Sequence, residues 1–110
     1  MKGSSLRFYV HENRKHRGRP LYEWLLDEAR RRGIHGGCAF RSIAGFGRHG
    51  VLQEDHFFEL AGELSVLVEF VVSEREADEL LGIVHAEGTP IFYARTSTEF
   101  GVLGDGERSD

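Results

Sequence analysis

The pattern of this 110-residue chain predicts an α+β fold of order βαββαβ, the ferredoxin-like split βαβ. Three observations carry that expectation. Leu6-Arg7-Phe8-Tyr9-Val10-His11 and the stretch from Leu64 to Val72 alternate apolar and polar residues, the period of a half-buried strand. Two helical stripes follow them, Leu21/Trp24/Leu25/Glu28 and Ala77/Leu80/Leu81/Val84, each at a spacing of three or four. Shorter strand-like runs, Cys38 to Phe46 and Ile91 to Arg95, come after the helices. Right-handed crossovers then put both helices on one face of a four-stranded antiparallel sheet.

Each element has its own signals. Asn13 to Arg19 is polar and cationic and reads as a loop, and Pro20 fits the first turn of the first helix, where its missing N–H costs nothing. Arg30, Arg31 and Arg32 complement the dipole at that helix's end, and Gly33 suits its C-cap. Ser73-x-x-Glu76 is a capping box opening the second helix, which Gly88-Thr89-Pro90 ends. Residues 5–98 are therefore expected to form one domain with a long loop at about 47–62, and residues 99–110 a loose tail. Tyr9, Ile43, Leu67 and Val71 are expected on the sheet face without helices, beside Glu69. A face so apolar should be covered by another subunit.

Composition narrows the function classes. Apolar runs such as Val66-Leu67-Val68 are far too short to span a bilayer, and nothing resembling a secretory signal follows Met1. The single Cys38 cannot form an internal disulfide and is expected to be a small buried strand residue, so a cytoplasmic setting is expected. Net charge is −4, with residues 1–50 holding 11 Lys/Arg against 4 Asp/Glu and residues 51–110 holding 3 against 14. In an interleaved fold such halves are not spatial halves. With Glu69 at the centre of the third strand, and with a negative total, no nucleic-acid partner is expected. Ser42 and Ser65 lack a nucleophile elbow and Cys38 lacks a neighbouring base, so the chain is expected not to be an enzyme. His49, Asp55 and His56 share one loop without the compact spacing of a zinc site, so no metal site is expected.

The most distinctive stretch is Arg41-Ser42-Ile43-Ala44-Gly45-Phe46-Gly47-Arg48-His49-Gly50. Its Gly-x-Gly-x-x-Gly spacing is not a dinucleotide fingerprint, because no helical pattern follows Gly50. It does set glycines and a forked cation, Arg48, at the mouth of the long loop, a chemistry suited to phosphate or carboxylate. Arg41 lies on the same stretch, Arg19 precedes a helix N-terminus that favours anions, and Arg95 on the last strand offers a further cation from a neighbouring subunit.

Four landmarks, in order, resemble the PII-like small domains of domain of unknown function 190. They are His16-x-Gly18-Arg19-Pro20-Leu21-Tyr22-Glu23, Arg41-Ser42-Ile43-Ala44-Gly45-Phe46-Gly47, Phe57-Phe58-Glu59-Leu60, and Glu63-Leu64-Ser65-Val66-Leu67-Val68-Glu69. The resemblance spans about residues 5–96. More remotely, Gly45-Phe46-Gly47-Arg48 is similar to the loop base of PII signal-transduction proteins. The resemblance implies a homotrimer with clefts between subunits that bind a small anionic ligand, an adenine nucleotide in PII relatives. It also implies a loop that contacts a transporter, enzyme or regulator, with Gly45, Gly47 and Arg48 lining the cleft. No cofactor is required on this reading. Two departures stand out. Gly88-Thr89-Pro90 replaces the glycine- and lysine-rich phosphate segment of PII proteins, and Ser42 stands where glycine is expected. The alternative is a trimeric assembly domain similar to the divalent-cation-tolerance proteins, without a nucleotide.

Overall fold

The computed structural model describes residues 1–45 and 65–104. Its elements are β1 (Lys2–His11), β2 (Lys15–His16), β3 (Arg19–Pro20), α1 (Leu21–Arg31), β4 (Cys38–Arg41), β5 (Ser65–Val72), α2 (Glu74–Ala86) and β6 (Phe92–Glu99). The main sheet has strand order β4-β5-β1-β6, antiparallel at each pairing, and β2 with β3 makes a separate small hairpin. This is the ferredoxin-like arrangement that the sequence pattern predicts.

The core follows from period-two alternation meeting two helical stripes. Leu6, Phe8 and Val10 of β1 and Val66, Val68, Phe70 and Val72 of β5 are all buried on one face. Leu21, Trp24, Leu25 and Ala29 of α1 and Ala77, Leu80 and Val84 of α2 join the same cluster, so both helices cover that face. Phe8 and Phe70 meet edge to face at 6.2 Å, a favoured aromatic geometry. A Cβ on Gly37 would meet the Phe70 ring at 2.5 Å, so this turn needs glycine for close approach.

The helix ends are built as their residues require. At α2 the Ser73 hydroxyl accepts the Glu76 N–H at 3.1 Å, and the Glu76 carboxylate accepts the Ser73 N–H at 2.9 Å, a complete capping box. At α1 Gly33 adopts φ +88° and the Ile34 N–H reaches back to the Ala29 carbonyl at 3.1 Å, with Ile34 buried. That is the Schellman closure, in which a left-handed glycine lets the chain satisfy the last carbonyls. The arginines in that last turn are also paired: Arg30 with Asp27, and Arg31 and Arg32 with the buried Glu28.

Several local expectations differ from the structure. Pro20 is the N-cap, with ψ 135°, rather than a first-turn residue. The stretch taken as a loop before it is a hairpin, turned at Arg17 and Gly18 with φ of 54° and 82°. Two successive positive φ values are the requirement of a tight hairpin turn, and the polar composition conceals it. β4 ends at Arg41, short of the expected Phe46, and Ser42 closes the pairing by donating its N–H and hydroxyl to the Ser65 carbonyl, each at 3.0 Å. Cys38 is exposed rather than buried, because β4 is an edge strand beyond the cover of the two helices. Ile43 is 94% exposed in a bend past β4 and is not on the sheet. β1 and β6 run further than expected, pairing from Lys2↔Glu99, and Phe100 exchanges backbone bonds with Met1 at 2.9 and 3.0 Å.

Ser73→Ala removes one half of the capping box and is expected to cost about 1 kcal/mol. Melting by circular dichroism should then fall by about 4–8 °C. An unchanged melting temperature would mean the cap does not limit the stability of α2.

Candidate functional site

The sheet positions the sequence-derived cations, and it disperses them. Arg41, the last residue of β4, donates to Glu12 at 2.7 Å. Arg19, in β3, donates to Asp27 of α1 at 3.3 Å. Arg95 of β6 donates to Glu74 at 2.7 Å, to Asp78 at 2.8 Å and to the Ser4 hydroxyl at 3.1 Å. The bonds to Glu74 and Asp78, together with their charges, hold the Arg95 guanidinium above its ordinary proton affinity, against the opposing effect of burial. Gly45 stands in open space, and a positive φ is not what it supplies. Gly47 and Arg48, like the predicted loop at 47–62 and His49, Asp55 and His56, lie outside the described residues.

β4 and β6 are opposite edges of a four-stranded sheet, three strand spacings or about 14 Å apart, and Arg41 stands level with Val10 while Arg95 stands level with Leu6, so the two residues are further apart still. One chain does not bring them to a common ligand. Arg19 belongs to a third place, the rim of a groove of about 440 Å³ between α1, the Gly36-Gly37 turn and the underside of Phe70. That volume lies in the range of small-ligand pockets.

Two features go beyond the sequence reading. One is the make-up of the open sheet face. Register places Phe40, Leu67, Tyr9 and Phe92 in one row across all four strands, with Val71 further along β5 on the same face, past Glu69. Phe40 is 50% and Val71 44% exposed, and the Tyr9 and Phe92 rings lie 5.5 Å apart. Tyr9, Leu67 and Val71 are on that face as expected, but the aromatics beside them are Phe40 and Phe92. Tyr93 pairs with Phe8 and so belongs to the other face. Glu69, on the same face, is held in its own chain by Arg7 at 3.5 Å and the Ser5 hydroxyl at 3.2 Å.

The other feature is the junction under the β2–β3 hairpin. His16 bonds to Glu87 at 2.8 Å through Nε2, meets Thr89 at 3.4 Å through Nδ1, and stacks edge-on against Trp24. Arg17 adds two contacts to the same Glu87 Oε1, at 3.1 and 3.3 Å. This links the first connection to the C-cap of α2, about 70 residues away in sequence. The landmark His16-x-Gly18-Arg19-Pro20 thus ties the hairpin to the fold. Its sequence signal was the Arg17-Gly18 dipeptide, read only as part of a cationic loop.

These ion pairs also shift acidities. The His16 bond, then Arg17, holds the Glu87 carboxyl below the usual carboxylate range. The Ser4 hydroxyl and then Arg95 do the same to Glu74, and Arg30 and then Arg19 to Asp27. Among the described residues every buried side-chain polar atom has a partner, and no group of three or more His, Cys, Asp or Glu side chains could hold a metal ion. No helix among them is long and apolar enough to cross a membrane.

Comparison with known proteins now adds its part. Residues 3–89 match the family model described as Uncharacterized ACR, domain of unknown function 190. The chain belongs to this family. It is 30% identical to a UPF0166 protein of Aquifex aeolicus over 101 residues, covering 84% of this chain and 96% of that one. It is 31% identical over 81 residues to a UPF0166 protein of Methanocaldococcus jannaschii, covering 74% of each. The His16 hairpin, α1, β4 and the β5–α2 capping box all lie within the matched region.

Asp27, Glu74 and Glu87 bind protons less readily in the fold than in the unfolded chain. Their contribution is complete above the ordinary carboxylate pKa of about 4 and is lost as pH falls through and below it. The melting temperature should therefore hold from pH 7 to about pH 5.5 and decline below about pH 4.5. Glu87→Gln should lower the melting temperature at neutral pH and flatten the acid decline. Identical acid slopes for the two proteins would show that the Glu87 cluster is not coupled to folding.

Proposed function

We propose that this chain is a PII-like regulatory protein, a homotrimer that binds a small anionic ligand in a cleft between subunits. The first ligand to test is an adenine nucleotide. Gly45, Gly47 and Arg48 line the cleft with Arg41 from the same chain, while Arg95 comes from the neighbour. Ligand binding changes how residues 47–62 meet a partner protein, such as a transporter or an enzyme, by shifting a population of loop states. The protein signals by binding rather than by catalysis, and it works in the cytoplasm.

The observation that supports this reading best is the apolar row on the open sheet face. Four aromatic or aliphatic side chains in register, one from each strand, make a surface that a water-facing antiparallel sheet does not carry. Packing copies of the chain through this face would also bring the β4 edge of one towards the β6 edge of another. Residues that one chain keeps apart would then share a cleft.

A second reading, an assembly domain without nucleotide, has its own support. Arg19, Arg41 and Arg95 are each already paired with carboxylates of their own chain, so a ligand anion must compete with Asp27, Glu12, or Glu74 and Asp78. On that reading the trimer serves tolerance of divalent ions and the arginines serve only the fold.

A thermal-shift screen against ATP, ADP, AMP, cyclic nucleotides, bicarbonate and divalent ions separates the two. A ligand at a hundredfold excess over its dissociation constant adds about 2.7 kcal/mol to stability, a rise of several degrees. The expected result is a selective rise with one adenine nucleotide that Arg48→Ala abolishes while the sedimenting mass stays that of a trimer. A flat screen in a verified trimer supports the assembly domain instead.

A further inference from the structure

The groove of about 440 Å³ beside α1 combines an apolar floor with two opposite charges that do not neutralise each other. Leu26, Ile34 and Phe70 make the floor, and the Gly36–Gly37 turn forms one wall. A Cβ on Gly37 would meet Phe70 at 2.5 Å and Leu26 at 3.2 Å, so the backbone passes directly over the floor. A Cβ on Gly36 would meet nothing within 4 Å, so the space beside that residue is open.

The charged side chains of the rim form two poles. Asp27 accepts one hydrogen bond from Arg30 at 2.7 Å and one from Arg19 at 3.3 Å, so two guanidinium groups against one carboxylate leave a positive charge in excess. Each guanidinium has five N–H donors and gives one to Asp27, which leaves most of them for an anion. Arg31 and Arg32 stand outside this balance, because Glu28 holds them at 3.2 and 3.3 Å. Glu23 is the negative pole. It lines the groove one helical turn before Asp27, and it has no hydrogen-bond or ion-pair partner among the described residues. Residues four apart on a helix have Cβ atoms about 5–6 Å apart. An unpartnered carboxylate and a cationic trio thus share one rim at a separation of about one helical turn.

This lining selects among ligand classes. A ligand with one charge would satisfy one pole and lay its apolar body against the other. A wholly polar zwitterion would leave Leu26, Ile34 and Phe70 in water. Ammonium and carboxylate on a single carbon, with an apolar group attached to it, answer all three features. We propose that the groove binds an apolar α-amino acid. Its ammonium donates to Glu23, its carboxylate accepts from Arg19 and Arg30, and its side chain lies on Leu26, Ile34 and Phe70. Gly36 and Gly37 precede β4 whereas Arg41 ends it, so this site is separate from the proposed subunit cleft and does not depend on a nucleotide there.

Titration of the isotope-labelled full chain with L-leucine and L-phenylalanine, followed through amide chemical shifts, tests the proposal. Saturable shifts are expected at the Gly36–Gly37 turn and along α1. Three comparison ligands each lack one feature: phenethylamine has no carboxylate, hydrocinnamate no ammonium, and glycine no apolar body. Each is expected to bind at least about tenfold more weakly than phenylalanine, the scale of one lost charged hydrogen bond or of one side chain left in water. Glu23→Gln is expected to erase the preference for phenylalanine over hydrocinnamate. Gly36→Trp fills the groove from an open position and is expected to abolish the shifts with an unchanged far-UV spectrum. Absence of saturable shifts with both amino acids overturns the proposal. So does phenylalanine binding no tighter than its single-charge analogues, or a preference that survives Glu23→Gln. Binding that persists in folded Gly36→Trp protein puts the ligand elsewhere and overturns the site.

Discussion

The register between β1 and β5 is the constraint on which the rest of this structure depends. From Ser4↔Val72 to His11↔Ser65 the two central strands pair without interruption, and each apolar residue of β1 from Leu6 to Val10 stands opposite an apolar residue of β5. Leu6 faces Phe70, Phe8 faces Val68, and Val10 faces Val66. Side chains alternate across a strand with a period of two, so a slip by one residue would turn all of these into water. Both helices need this face to bury their stripes, and both loop-bearing edges take their positions from it.

Helical cover is confined to the central strands, and this gives the molecule its exposed chemistry. β4 lies at one edge with all four of its residues exposed, and β6 lies at the other with most of its residues exposed. Arg41 and Arg95 sit on these edges, as do Phe40 and Phe92 on the open face. A domain whose recognition elements all lie at its margins is suited to sites completed by a neighbour.

The charge asymmetry of the sequence has a structural explanation that does not require an external partner. Cations of the first half meet carboxylates of the second: Arg7 with Glu69, and His16 and Arg17 with Glu87. Interleaving the two halves in one sheet brings them together. The His16 and Arg17 pairing lowers the pKa of Glu87, and bonds from Ser4 and then Arg95 lower that of Glu74. The fold is therefore braced by partly exposed ion pairs at its corners, each a modest contribution that solvent and salt weaken.

What the sequence by itself determined is whatever depends on local periodicity and capping. The two central strands, both helical stripes, the Ser73–Glu76 box and the Gly33 terminator are all legible, because each is set by neighbours within a few residues. The family landmarks are legible for a related reason, since they sit on those same elements. Tertiary structure alone decided the exposure of Cys38, the pairing of Tyr9 with Phe92, and the His16–Glu87 junction. It also decided that Arg19, Arg41 and Arg95 point to three separate places. These depend on which strand lies at an edge and which residues stand opposite across the sheet. A one-dimensional pattern carries no information about register between distant strands until the core they share has packed.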